Sequence, residues 1–155
     1  MSKLSIRPAL RADLAAVLAL YAQPDIDDGE VLGPEEAARI FERFSAYPDY
    51  TLYVAEQDGT AVGSFALLIM DNLGHFGAPS GVVEHVVVNP GFQDEGIGTA
   101  MMRFAARTCR DRGCYKLALS ADVKRKRAYA FFERLGFQRH GYSFLLSFEE
   151  PGETA

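Results

Sequence analysis

The chain has 155 residues, 48% of them hydrophobic, 24% charged and 12% aromatic, the proportions of one globular domain, 1–155, with a sizeable core rather than of a disordered chain. Sixteen Lys and Arg against twenty-one Asp and Glu leave a formal charge of −5, the wrong sign for general attraction to phosphate backbones, so nucleic acid is not an expected partner. Cys109 and Cys114 make no metal constellation, no leader-like segment opens the chain, and the longest nearly apolar run, 62–70, is too short for a bilayer, so we expect a reduced cytoplasmic protein with neither metal nor membrane partner.

Alternation in Leu4-Ser5-Ile6-Arg7 predicts a short strand ended by Pro8, and Asp13 is placed to cap a helix carrying Leu14, Val17, Leu18 and Tyr21. An acidic stretch follows, with Asp25, Asp27, Asp28 and Glu30. Pro34 then suits a first helical position, and Ala37, Ile40, Phe41 and Phe44 give the second helix, 34–46, an inward face. Residues 52–55 and 61–70 read as a hairpin around Asp58-Gly59.

The glycines and Pro79 of 71–81 predict a loop, and 82–88 a buried strand of nearly continuous apolar character. Ile97, Met101, Phe104, Ala105, Thr108 and Cys109 share one face of a helix ending near Gly113. A strand over 115–119, a helix carrying Ala128, Phe131, Phe132 and Leu135, and a last strand over 142–148 complete the order, with a polar tail from Glu149. No repeat or linker divides the chain. The fold expected is an α+β layer sandwich whose mixed, mostly antiparallel central sheet is flanked by helices.

Chemistry concentrates where the strand 82–88 runs through Asn89-Pro90-Gly91 into Gln93-Asp94-Glu95-Gly96-Ile97-Gly98-Thr99. Glycines at a helix start, where backbone N–H groups lack internal partners, allow an anion such as a pyrophosphate to approach closely. The same glycines also serve tight packing alone. The spacing fits neither the dinucleotide fingerprint nor a Walker loop.

Gln93-Asp94-Glu95-Gly96-Ile97-Gly98 resembles the Gln/Arg-x-x-Gly-x-Gly/Ala signature of the GNAT superfamily of acetyl-CoA-dependent N-acetyltransferases. Ala128 to Phe137, with its Glu133-Arg134-Leu135-Gly136-Phe137 ending, resembles that superfamily's second block. Val83 to Val88 and Gly113 to Leu117 look like the glucosamine-6-phosphate acetyltransferase branch. The resemblance implies a GNAT fold, acetyl-CoA as acyl donor and no metal. It further implies that Val86, Val87 and Val88 pair with the pantetheine arm where this strand splays from 117–119. The pyrophosphate would be held by amides of Gln93, Asp94, Glu95, Gly96, Ile97, Gly98 and Thr99, and the cofactor would also meet Arg125, Phe131 and Phe132. Arg103, Lys124, Arg125, Lys126 or Arg127 is expected to offset Asp94 and Glu95 near the adenosine phosphate.

Two positions depart from the family pattern. Phe132 stands where a Tyr commonly protonates the leaving thiolate, and Arg125 where an Asn often contacts the cofactor. Tyr129 is the nearest replacement acid, Tyr142 another, and water a third, since a thiol of pKa about 8.5 leaves readily. As the base that takes the proton of the attacking ammonium we assign Glu84, expected to be a buried carboxylate in an apolar strand. His85 is expected on the opposite strand face, His75 in a surface loop, and Cys109 and Cys114 as packing residues.

The function expected is direct acetyl transfer from acetyl-CoA to a primary amine of a small molecule, with the acidic stretch attracting a cationic acceptor. A protein N-acetyltransferase, an inactive CoA-binding sensor and a pure interaction domain are the alternatives. A homodimer using the last strand is consistent with the resemblance.

Overall fold

The computed structural model describes residues 3–24, 26–121 and 125–148. The expectations for Asp25, Lys124 and the tail from Glu149 fall outside them. The chain divides into two compact units, Met1–Leu119 and Ser120–Ala155.

The first unit is built on one five-stranded sheet, β1 (Leu4–Pro8), β2 (Tyr50–Gln57), β3 (Thr60–Met70), β4 (Ser80–Val88) and β5 (Lys116–Ala118), in spatial order β1-β2-β3-β4-β5. All neighbours are antiparallel except β4 and β5, which are parallel. The expected mixed, mostly antiparallel sheet is thus observed. The β2–β3 hairpin turns on Asp58 (φ +52°) and Gly59 (φ +77°), the pair of positive φ values that a tight two-residue hairpin demands.

Alternation assigns the two faces of the sheet. Leu52, Val54 and Ala66 point to one face and pack with Leu14 and Val17 of α1 (Leu14–Tyr21) and Ala38 of α2 (Pro34–Arg43). Tyr53 and Phe65 point to the other, where their rings meet Phe104 of α3 (Ile97–Asp111). Gly63 and Gly81 lie on that same face, and a Cβ on either would collide with α3, at Met101 and at Cys109 Sγ respectively. Such close strand-to-helix approach explains why Gly81, assigned to a loop by its glycine, is a strand residue.

One further boundary departs from expectation. Asp13 makes no cap to α1; its carboxylate accepts instead from Leu10 N–H at 2.7 Å and from the Arg7 guanidinium at 2.7 and 3.0 Å. The chain enters α1 through a 3₁₀ turn, Arg11–Asp13, that brings the carboxylate back over its own start. α3 ends as predicted, at Gly113 (φ +77°), with Cys114 N–H bonded to Cys109 C=O at 2.9 Å and Gly113 N–H to Arg110 C=O at 3.1 Å. Those paired bonds are the Schellman arrangement, which brings Cys109 and Cys114 together.

The second unit contains α4 (Lys126–Arg134). Phe132 touches Phe131 and Phe137, with ring centroids 5.1 and 5.7 Å apart, and the helix stops at Gly136 (φ +97°). The predicted last strand is not formed. Residues 142–148 have no strand pairing and Phe144, Leu145, Leu146 and Phe148 are exposed. An alternating apolar run becomes a strand only where a neighbouring edge supplies hydrogen bonds. Among the described residues no helix is long and apolar enough to cross a membrane.

Candidate active site

β4 and β5 pair only at Ser80–Lys116, Gly81–Leu117 and Val82–Ala118. β5 ends at Ala118, and among the described residues no strand pairs with β4 beyond Val82 on that side. Asn89 N–H donates to Val62 C=O at 2.8 Å, so by alternation Val88 turns its own N–H and C=O away from β3 and into the cleft, and Val86 does the same. Val87 is buried toward the α1 face. The Val88 carbonyl accepts from Gln23 Nε2 at 3.1 Å, a contact across sixty-five residues that no local pattern announces.

The cleft leads into the loop before α3. Asp94 (φ +64°) and Gly96 (φ +80°) both adopt left-handed backbone there. The first intrahelical bond runs from Ala100 N–H to Gly96 C=O at 3.0 Å, and Gly96 carries no side-chain cap. The amides of Ile97, Gly98 and Thr99 therefore have no helical acceptor, and they lie at the positive end of a fifteen-residue helix. A Cβ on Gly96 would meet nothing within 4 Å, so the approach to these amides is open. Gln93, Asp94 and Glu95 are exposed beside them. A strand edge with outward amides ending at such a terminus suits an extended, amide-containing arm that carries a pyrophosphate.

A bulge in β4 lies at the inner end of the cleft. Glu84 pairs with Ala66 and Val87 with Ser64, so His85 and Val86 together oppose Phe65 alone. His85 takes φ +53°, a conformation uncommon outside glycine that the surrounding structure must hold. The extra residue overturns the expectation that Glu84 and His85 lie on opposite faces. Glu84 shares the row of Leu52 and Ala66, while the His85 ring lies 5.8 Å from that of Tyr21 on the same side. Tyr21 is itself fixed, with its phenol hydrogen-bonded to Ser64; burial pushes its pKa up to about 12.

Glu84 is exposed rather than buried; the α1 and α2 residues that cover this face, Leu14, Val17 and Ala38, pack on Leu52 and Val54 of β2 and Ala66 of β3. Burial raises the Tyr50 phenol pKa, and the charge of Glu84 raises it further. Arg103, expected near an adenosine phosphate, instead lines a groove with Leu4, Ile6, Ala100, Phe104 and Arg107, toward β1. Its position on α3 turns it to the opposite edge of the sheet from the cleft.

In the second unit, Arg125 precedes α4 and its carbonyl accepts from Ala128 and Tyr129 N–H at 3.0 and 3.3 Å. The Tyr129 ring lies under the Arg139 guanidinium at 5.2 Å, and Tyr142 is exposed. His75 stacks on Tyr115 at 3.9 Å. Cys109 is buried, with its thiol pushed up to about 12 by burial and by the adjacent Cys114, which fits a packing residue and not a nucleophile.

Residues 15–137 match the model of the acetyltransferase (GNAT) family. The chain is 33% identical over 89 residues to a glucosamine 6-phosphate N-acetyltransferase of Trypanosoma brucei brucei, covering 57% of this chain and 58% of that protein. It is 27% identical over 97 residues to an aminoalkylphosphonate N-acetyltransferase of Salmonella typhimurium, covering 63% and 62% respectively. The crystal structure of a Trypanosoma brucei acetyltransferase superposes with a TM-score of 0.82 at 27% identity, over 94% of this chain and 99% of that one. With the signature and a family match over residues 15–137, the chain belongs to the GNAT acetyltransferase family.

Proposed function

We propose that the protein transfers the acetyl group of acetyl-CoA to the primary amine of a small molecule that also bears a phosphate or phosphonate. The observation that carries the first half is the edge of β4 beyond its pairing with β5, whose outward Val86 and Val88 N–H groups precede the amides at the start of α3 that have no helical acceptor. The acceptor class is supported by the names of the two relatives, both of which act on amines with a phosphorus oxyanion.

Acetyl-CoA supplies a thioester carbon when bound. Outward N–H groups of Val86 and Val88 align the arm and polarise the carbonyl, and the amides of Ile97, Gly98 and Thr99 hold the pyrophosphate. Glu84, exposed beside the bulge, takes the proton that the ammonium must lose before its nitrogen attacks. The C–N bond forms as the C–S bond breaks, the nitrogen gives up its second proton to water, and the thiolate takes a proton from water.

An acceptor screen tests this reading, following thiol release and the mass gain of one acetyl group with aminosugar phosphates, aminoalkyl phosphonates, polyamines and peptide amines side by side. Release with phosphorus-bearing amines supports it. Release with peptide amines alone would replace the small-molecule acceptor by a protein, and tight acetyl-CoA binding without release to any amine would make the protein a CoA sensor.

A further inference from the structure

A groove of about 360 Å3 on the α2 side of the sheet is lined by Ile40, Arg43, Phe44, Tyr47, Tyr50 and Leu68, a volume within the range of small-ligand sites. Its walls are aromatic. Phe44 and Tyr50 lie 4.6 Å apart between ring centroids and Tyr47 and Tyr50 5.8 Å, yet the Tyr47 side of this cluster remains open, with 58% of that residue exposed. Register ties the groove to the bulge. Tyr50, Leu68 and Val82 form one cross-strand row, and the next row on the same face is Leu52, Ala66 and Glu84. Glu84 therefore stands one strand repeat, about 6.7 Å, along β4 from Val82 and two strands across the sheet from Tyr50.

The charges along this path have opposite signs at its two ends. Arg43 lies at the end of α2 and lines the groove, and among the described residues it makes no ion pair. Glu84 is exposed at the other end. A molecule reaching from Glu84 to Arg43 would cross Val82 and Leu68 before the aromatic wall and the guanidinium. We propose that this groove is the acceptor subsite, that Arg43 binds the anionic group of the acceptor while its amine lies at Glu84, and that Phe44, Tyr47 and Tyr50 cover the atoms between. This rests on the acetyltransferase reading above and adds to it the residues that select an amine with an anionic tail. The guanidinium suits a phosphorus oxyanion because its fork of N–H donors matches two oxygens at once.

The test compares an aminoalkyl phosphonate with the aminoalkyl alcohol of the same chain length, on the wild type and on Arg43→Gln and Tyr47→Ala. The wild type should favour the phosphonate at least tenfold in KM. Arg43→Gln should raise the phosphonate KM at least tenfold while leaving the alcohol KM, both kcat values and the acetyl-CoA KM within twofold. Tyr47→Ala should raise the KM of both acceptors. Arg43 is exposed, and melting temperatures measured on every variant identify any loss of fold. Equal effects of Arg43→Gln on the two acceptors, or none, would overturn the subsite while leaving the acetyltransferase reading intact. If the wild type binds no acetyl-CoA, or acetylates no amine, that reading and this one fail together.

Discussion

Gln23 and Val88, far apart in sequence, are joined by a 3.1 Å hydrogen bond from the side-chain amide of one to the backbone carbonyl of the other. The bond ties the end of α1 to the outer part of the cleft edge. The Gln23 carbonyl is itself engaged, accepting from Ile26 and Asp28 N–H at 3.1 Å each, so its side chain departs from a fixed point. Gln23→Leu keeps the size and removes the donor, and should change acetyl-CoA affinity by at least threefold, whereas Gln23→Lys, which still donates, should stay near the wild type. Calorimetry on the three proteins decides, and identical affinities would make the contact incidental.

Gly96→Val should weaken acetyl-CoA binding by at least about 1.4 kcal/mol, a factor of ten. The glycine is at φ +80° with open space before it, so a side chain both strains the backbone and fills the approach to the α3 amides. A folded variant with wild-type affinity would remove the pyrophosphate assignment.

Glu84→Gln should lower turnover roughly 10²-fold, the scale of general-base assistance, with acetyl-CoA affinity nearly unchanged. Because Glu84 is exposed, its melting temperature should not move, and surface changes of this kind rarely exceed about 0.5 kcal/mol. A pH–rate profile like that of the wild type would end the role assigned to the carboxylate.

The bulge marks where the sequence stops being informative. Strand and helix periods were enough to find the hairpin, the buried β4 and the face of α3, since each is a local repeat that packing merely confirms. Period-2 reasoning failed at His85, because one inserted residue reverses the faces and nothing in Glu84-His85-Val86 marks the insertion. The motif at Gln93 to Gly98 was legible as residues, but Gln23 was not, since its partner is a backbone carbonyl brought near only by the fold. Residues 142–148 carry a strand's composition without a strand's neighbour.

Gly81→Ala should destabilise the protein by about 1–3 kcal/mol, the usual cost of overpacking, because its new Cβ would overlap Cys109 Sγ. Cys109→Ala in the same chain should recover a substantial part of that loss. A double-mutant cycle by denaturant unfolding reads the coupling, and additive effects would show that the two residues do not compete for space.

Acid should act through Asp13. Its hydrogen bond from the Arg7 guanidinium holds the carboxyl below the ordinary carboxylate value of 3.8, so the folded state releases that proton more readily than the unfolded one. The resulting stability is present above 3.8 and is lost as pH falls through the lower folded value. Asp13→Asn should therefore be less stable at pH 7 and lose less stability on acidification, and thermal melts from pH 7 to pH 2 that fall in parallel for both proteins would disprove it.

The short β4–β5 seam also sets where the sheet opens first. Three register pairs hold β5, against eight between β2 and β3, and local opening is easiest where the fewest contacts must break. Amides of residues 116–118 should thus exchange with deuterium at far lower protection than those of β3. A ligand that adds to the β4 edge next to this seam holds it closed by mass action, so its occupancy is readable as slowed exchange in a strand edge even before any chemistry is assayed.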